Sequence, residues 1–375
     1  MSTGIDLTLM IGPAVPLPVP RALIDALEQV QVTTASGDTP SGFELRFAMA
    51  QKSNLDKLIS GVSGSMPPVI RVVIFVTVKG SAQTLIDGVM THYELAPGDN
   101  GGLSLVVKGK DLSALMDLFE FDGIPYPAMP PVARVLIVLA KYAALGVIPL
   151  TIPSFVEDIP LPIDRIPRHQ GTDYKYVKSL AQQCGYVFYF EPGPAVGTSK
   201  AYWGPDLKVG QAQPALNTDM DLFTNVENLS FNFDKEATEM PVVFIHNKET
   251  KAPIPIPILD ITPLNPPLGL VPPLPPKLTF LNDTSKLSPI SAVMTGLAYA
   301  SQHADCVSAS GTLDVVRYGH ILKSRALVGV RGAGLLFDGL YYVKEVTHTL
   351  KRGEYKQGFK LARNGLVSTV SSVPV

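Results

Sequence analysis

The chain has 375 residues, more than one domain usually holds, so two to four domains with ample buried core are expected. Hydrophobic residues make up 46% of the sequence and charged residues only 17%, which predicts apolar surface buried between subunits as well as within them. The formal net charge of -2 and the lack of any Lys/Arg-rich run argue against a dedicated nucleic-acid-binding protein, so no sequence-specific nucleic-acid partner is expected.

The N-terminal residues, MSTGIDLTLMIGPAVPLPVPR, have no basic region and are broken by prolines, unlike a secretory signal. We therefore expect synthesis and assembly in the host cytoplasm. The two cysteines, Cys184 and Cys306, lack metal-ligand spacing and are too few for a disulfide framework. They are predicted to be buried free thiols.

The first β-region runs from Val30 to Gly109 as a series of alternating, β-branched segments separated by turn residues. This pattern predicts a small antiparallel barrel or sandwich. At 110–119 the apolar spacing becomes helical, which places the end of the domain near residue 112. Residues 1–112 are therefore predicted to form a first tube-like β-barrel domain. The predicted strands are 30–35, 42–50, 69–80, 84–95 and 102–109.

Residues 113–224 are predicted to form a mixed α/β middle domain. Its apolar stretch Val132–Leu150 is interrupted by Arg134 and Lys141 and is shorter than a membrane span needs. It is interpreted as a buried helix, and no membrane partner is expected.

An amphipathic helix is predicted at 172–184 within this middle domain. Thr172 is its expected N-cap, and Gly185 stands where a helix-terminating glycine belongs. The segments 186–191 and 200–204 then read as the two strands of a hairpin.

Strands resume at 225–247 and continue from about residue 304 to residue 363, so a second tube-like β-barrel domain is predicted from 225–248 and 304–365. Residues 249–303 are predicted to be a Pro-rich insertion and a helix, and 366–375 a C-terminal tail. The fold class predicted for the whole chain is mainly β, with an α+β middle.

The Pro-rich segment at 251–277 reads KAPIPIPILDITPLNPPLGLVPPLPPK. Prolines this dense remove backbone donors, so neither a helix nor a central strand can persist there. An extended, polyproline-like segment is predicted, largely dispensable for folding of the domains. Its residues fit either a surface linker or an arm that packs against a neighbouring subunit.

No catalytic, cofactor-binding or metal-binding residues are predicted. The glycines at 329–339 match neither a dinucleotide fingerprint nor a P-loop, and the six histidines have no ligand spacing. His92, His246 and His348 lie in predicted strands, where a hydrogen-bonded structural role is expected. The densest polar cluster is interpreted as a solvated or subunit-contacting loop, with a functional site as the lesser alternative. Its members are Glu157, Asp158, Asp164, Arg165, Arg168 and His169.

Three segments together resemble the phage late control protein D family, which includes baseplate hubs of contractile phages and the hub portion of VgrG proteins. The first, at 98–118, has a strand that leads through Gly-Lys-Asp into a helix. The second, at 173–206, has a helix, Gly-Tyr, and two strands ending in Trp-Gly-Pro. The third, at 339–365, is a closing hairpin that ends in Arg363-Asn364-Gly365.

The resemblance implies a non-enzymatic structural subunit: a homotrimer with two small β-barrel domains per chain. Three chains would present six similar barrels to a tail tube protein above and a three-fold face to a spike below, beside other baseplate proteins. VgrG-type chains continue into a spike, whereas this sequence ends at Val375, so a separate spike protein is expected. The expected location is the baseplate of a phage virion or a contractile injection particle.

Two alternatives stay open. The chain could be a tube or distal-tail structural protein, for which six copies rather than three would be expected. It could also be a tail-associated cell-wall hydrolase, although no glycosidase carboxylate pair or nucleophile elbow stands out.

Overall fold

The computed structural model describes residues 4–13, 15–37, 40–49, 69–98, 102–154, 162–163, 166–246, 253–259, 266–273, 277–282, 284 and 289–373. The chain is mainly β with several antiparallel sheets, which confirms the predicted fold class.

The first β-region holds seven strands, and a short helix α1 (Arg21–Ala26) precedes the third. The alternation of buried and exposed residues that predicted these strands reflects one face packed on a core. Sequence reasoning did not single out β1. The strands are β1 (Ile5–Gly12), β2 (Leu17–Pro18), β3 (Leu27–Ala35), β4 (Gly42–Met49), β5 (Arg71–Val78), β6 (Ser81–Pro97) and β7 (Leu103–Asp111).

The middle segment is a small α/β unit around a three-stranded sheet with the order β8-β10-β9. Its elements are α2 (Ser113–Met116), α3 (Pro131–Ala140), β8 (Val147–Thr151), α4 (Asp173–Cys184), β9 (Tyr186–Pro192), β10 (Ser199–Pro205) and β11 (Gln213–Asn217). The helix expected at 110–119 is shorter than predicted. β7 continues to Asp111, whose carboxylate then accepts the Ser113 N–H at 3.0 Å and starts α2 there.

The prediction of α4 is confirmed at both ends. The Thr172 hydroxyl accepts a hydrogen bond from the Lys175 N–H at 3.2 Å, and Gly185 ends the helix with φ of 71°. The predicted hairpin is β9–β10, and Trp203 on β10 is fully buried under it. Among the described residues, no helix is long and apolar enough to cross a membrane.

The rest of the chain contains β12 (Asn228–Phe233), β13 (Glu239–His246), β14 (Pro253–Pro257), β15 (Gly269–Val271), β16 (Lys277–Leu281), α5 (Pro289–Gln302), β17 (Val307–Asp314), α6 (Val315–Tyr318), β18 (Leu327–Arg331), β19 (Gly339–Lys351), β20 (Glu354–Arg363) and β21 (Leu366–Ser368). The strand predicted from 306 stops at Asp314, because its carboxylate caps α6 by accepting the Val316 N–H at 2.7 Å.

One 13-stranded sheet joins the two β-regions, in the order β12-β17-β20-β19-β3-β4-β7-β6-β5-β1-β2, with β18 beside β19 and β11 beside β18. The described strands therefore form an open sheet rather than two closed barrels. A groove of about 800 Å³ separates β1 from β3, lined by Ile5 and Leu7 on one side and by Leu27 and Val30 on the other.

The described part of the Pro-rich segment is extended, as predicted, but it is paired. β14 lies at the edge of a sheet with the order β14-β13-β16. An edge strand suits prolines, which have no backbone N–H, because no neighbouring strand needs hydrogen bonds from its outer side. β13 therefore pairs with this segment and not with the large sheet, although it falls inside the range predicted for the second barrel. Gly296 on α5 allows close packing, since a Cβ there would lie 2.6 Å from Cγ1 of Val243.

Candidate assembly surface

Of the six residues in the polar cluster at 157–169, the lesser candidate for a functional site, two lie among the described residues. Glu157, Asp158, Asp164 and Arg165 lie outside the described residues. Arg168 is exposed and donates to the carbonyl of Gly123 at 3.3 Å. His169 is fully buried. These two adjacent residues therefore face different environments, Arg168 the solvent and His169 the core.

His169 belongs to a buried network at the N-terminus of α4. Its ring stacks on Tyr176 with centroids 4.2 Å apart, and Nδ1 lies 3.1 Å from the Tyr126 hydroxyl. Nε2 lies 3.3 Å from the carboxylate of Asp173, which also accepts from Lys141 at 2.9 Å. Burial lowers the pKa of His169. A neutral, enclosed imidazole of this kind fastens a loop to a helix and offers no atom to a substrate.

The side chains that commonly bind metals do not cluster into a metal site in the described part of the chain. No group of three His, Cys, Asp or Glu side chains there could hold a metal ion. Cys306 is buried, as predicted, whereas Cys184 is only half-buried. Burial raises the pKa of Cys306 to about 11, which keeps the thiol protonated and unreactive.

The large sheet contains the same arrangement of four strands twice. The first unit is β3-β4-β7-β6 and the second is β12-β17-β20-β19. In both units the two strands that come first in the sequence lie side by side. Next to them lies the last strand in the sequence, and the strand that precedes it in the sequence lies beyond it. The resemblance extends to a fifth strand, since β5 pairs with the first half of β6 as β18 pairs with the first half of β19.

The two units meet within the chain at an antiparallel pair between β19 and β3. On the core face, His348 lies opposite Val32 and Leu350 opposite Val30, all of them buried. On the other face the hydroxyls of Thr347 and Thr33 are 3.2 Å apart. This junction continues one sheet and one core from the first unit into the second.

The outer edges of the two units are unpaired among the described strands. β12 pairs only with β17, and β6 beyond Met90 pairs only with β7. At this end of β6, Tyr93 and Leu95 expose 47% and 59% of their surface. An apolar, unpaired strand edge is a feature that proteins usually cover or pair. Sequence reasoning missed these residues, although the length of β6, 17 residues against 8 in β5, carries a signal that part of it lacks that partner.

The face of the eight strands away from the core is polar and of mixed charge. Lys108 pairs with Glu94 at 2.9 Å, and Lys360 pairs with Glu345 at 3.1 Å. Serine, threonine and asparagine fill much of the remainder, as in the exposed Ser230–Ser310 contact at 3.1 Å. This face is suited to contact with water and not to packing against an apolar surface.

A second exposed apolar surface, the apolar loop pair, lies where the parallel strands β11 and β18 end side by side. One loop exposes Leu222 and Phe223, and the other exposes Leu335 and Leu336. The Thr218 N–H donates to the Arg331 carbonyl at 2.9 Å, which holds the loops together.

Arg363 shapes the second of these loops from inside the protein. It is fully buried and donates to the carbonyls of Gly365, Asp338 and Leu336 at 2.7, 2.9 and 2.6 Å. The next residue, Asn364, accepts from the Leu268 N–H at 2.8 Å. The Arg-Asn-Gly sequence at the end of β20 therefore fixes both an exposed loop and the Pro-rich segment.

Comparison with solved structures identifies the fold. The tail protein of Neisseria meningitidis superposes with a TM-score of 0.61 at 12% identity, covering 97% of this chain and 98% of that one. The 43 kDa tail protein of prophage MuSo2 from Shewanella oneidensis gives 0.62 at 12% identity, covering 96% and 98%. A chain of the half-lidded Francisella PdpA–VgrG complex gives 0.57 at 11% identity, covering 99% of this chain and 60% of that one.

No family model and no curated protein sequence matches the chain. At identities this low, the likeness establishes the fold. The chain has the fold of these phage tail proteins and of a chain of the PdpA–VgrG complex, so the resemblance predicted from three short segments is confirmed at the level of the fold.

Proposed function

We propose that the chain is a structural baseplate hub of a contractile tail or injection particle, adapting a six-fold tail tube to a three-fold spike. The observation that carries this proposal is the repetition of one strand order in two units of a single chain. Three copies present six similar units, which suits a six-fold tube, while other surfaces of the trimer keep three-fold symmetry.

The proposed homotrimer closes head to tail. In such a ring every junction is heterologous, with the first unit of one copy against the second unit of the next. The unpaired edges stand at opposite ends of the eight strands, where ring closure needs them. Closure pairs both edges and covers Tyr93 and Leu95, while the polar face lines the channel.

The proposed partners are a tail tube protein above, a separate spike protein below and other baseplate proteins. Two of the similar structures are described as tail proteins, and a third belongs to a PdpA–VgrG complex, which supports a place among such assemblies. The apolar loop pair offers one surface for an axial partner. We propose that residues 1–112 form the first tube-like domain. The second is proposed to consist of β12 with 304–365, without β13, which the predicted range 225–248 includes but which pairs outside the large sheet.

We propose no enzymatic role for the chain. The similar tail proteins support a structural role, and His169, the histidine of the predicted polar cluster, is enclosed in the core.

The mass of the assembled protein in solution tests the proposal. We expect three copies of the 40.2 kDa chain. Six copies would favour a tube or distal-tail protein, and a stable monomer in the presence of tube and spike proteins would contradict the hub.

A further inference from the structure

We infer that the junction between copies repeats the strand register of the junction inside the chain: the end of β6 in one copy pairs antiparallel with β12 of the next, with Ala96 opposite Ser230. This inference rests on the proposed ring and specifies its contact residue by residue.

The first step is the correspondence of the edges. In strand order, β19 holds the place in the second unit that β6 holds in the first, and β12 holds the place of β3. The edges of β19 and β3 are already joined inside the chain. The unpaired edges of β6 and β12 are therefore the equivalents of two edges known to fit each other.

The second step fixes the position along β6. The β6–β7 pair has a register shift between Met90 and His92, and the β19–β20 pair has one between Val343 and Glu345. The residue directly after the shift pairs with Lys108 in the first unit and with Lys360 in the second. His92 therefore corresponds to Glu345, and Ala96, four residues on, corresponds to Thr349.

The third step fixes the position along β12. Lys108 pairs across the first unit with Glu44, which pairs with Gln31 on β3. Lys360 pairs across the second unit with Ser310, which pairs with Ser230 on β12. Ser230 therefore corresponds to Gln31.

The register follows from these correspondences. Inside the chain Thr349 lies opposite Gln31, so between copies Ala96 lies opposite Ser230. The antiparallel pairing then continues in both directions. It places Leu95 opposite Phe231 and Tyr93 opposite Phe233.

The side chains agree with this register although they played no part in deriving it. Leu95 and Tyr93 are exposed, and Phe231 and Phe233 are half-buried against the core of their own chain, so the pairing joins apolar to apolar on one face. A shift of one residue would set Leu95 opposite Ser230 and reverse every side chain on the strand.

The backbone agrees as well. The Gly98 N–H donates to Gly102 at 2.8 Å across the β6–β7 pair, and by alternation the N–H and C=O of Leu95 point away from β7. The Asp234 N–H donates to Cys306 at 2.9 Å, and by the same alternation those of Phe231 point away from β17. The two residues placed opposite each other thus present their backbone groups to each other.

The polar face is compatible with the same register. It sets His92 of one copy opposite Asp234 of the next, just beyond the end of β12. Both side chains are exposed in the isolated chain, so an imidazole N–H can donate to the carboxylate there.

Cysteine cross-linking tests the register. Ala96 and Ser230 form a pair without hydrogen bonds across the junction, where the Cα atoms of facing residues approach to about 4.5 Å and a disulfide can form. In a Cys184→Ser background, Ala96→Cys/Ser230→Cys should yield covalent trimers upon oxidation. The link has to be intermolecular, because six strands separate β12 from β6 within one chain.

The matched control is His92→Cys/Ser230→Cys, which lies on the same face but about 13 Å out of register. It should give at least tenfold less covalent trimer, and each single-cysteine variant should give none. A trimer by mass in which the control pair links as well as, or better than, the test pair overturns the register and leaves the hub standing. A monomeric or hexameric protein overturns the ring, and the register with it.

Discussion

Arg363 is a buried anchor at the end of the closing hairpin. Arg363→Leu removes the hydrogen bonds that the guanidinium donates to the carbonyls of Gly365, Asp338 and Leu336, of which the Leu336 carbonyl keeps a second donor in the Val367 N–H. It also removes the guanidinium from the Tyr341 ring, 4.5 Å away. We expect the free energy of unfolding to fall by about 3 kcal/mol. The control, Arg168→Leu, removes an exposed side chain with one contact and should cost less than about 1 kcal/mol. Urea unfolding of both variants measures the difference, and equal losses would contradict the assigned role.

His348 gives the protein a specific sensitivity to acid. It is buried on β19 with Nδ1 2.8 Å from the Tyr355 hydroxyl, and burial lowers its pKa to about 3. Because the unfolded chain binds this proton below about pH 6.5 and the folded chain does not, acidification favours unfolding by about 1.4 kcal/mol per pH unit from there downward. Between pH 6.5 and 4.5 the loss is about 2 kcal/mol.

Denaturation across this pH range measures that effect, and substitution isolates it. His348→Gln should flatten the fall in unfolding free energy with acid, whereas His320→Gln, at an exposed position, should leave it as in the parent protein. Carboxylates titrate in all three proteins and cancel in the comparison. Identical profiles for His348→Gln and the parent would refute the role of His348.

At the scale of elements, the Pro-rich segment was predicted to be largely dispensable for folding. One of its residues nevertheless packs against the core of the chain, so part of the segment is expected to contribute to stability. Leu268 is 5% exposed and packs on Leu327 and Tyr342, while Leu270, two residues along, is 62% exposed. Leu268→Ala should therefore lower the free energy of unfolding by about 2 kcal/mol, and Leu270→Ala by less than about 0.5. Equal thermal stability of the two variants would show that the segment is an arm independent of the chain's own core.

Local signals predicted the elements well where the physics is local. α4 was predictable because Thr172 and Gly185 satisfy the ends of the helix within a few residues, and the strands of the closing hairpin because their alternation reflects one buried face. β13 shows the limit. Its sequence pattern predicts a strand. Its pairing with Pro253–Pro257 and with β16 depends on contacts between distant parts of the chain, which no local pattern predicts.

At the scale of the whole molecule, the sequence pointed to excess apolar surface but not to where it lies. Tyr93 and Leu95 belong to an ordinary alternating strand, and only the pairing of β6 with β5 and β7 reveals which part of that strand has an unmet edge. The resemblance implied two similar units per chain, whereas the strand order that they share is seen only in the structure.

The central claim is that each chain supplies two equivalent units to a ring of six. A three-dimensional averaged map of the assembled particle tests it most directly, by counting copies at the base of the tube and fitting the chain into them. We expect three copies, with units β3-β4-β7-β6 and β12-β17-β20-β19 related by a rotation of about 60° within each copy. Six copies in the ring, or two units of one chain that no such rotation relates, would contradict the account.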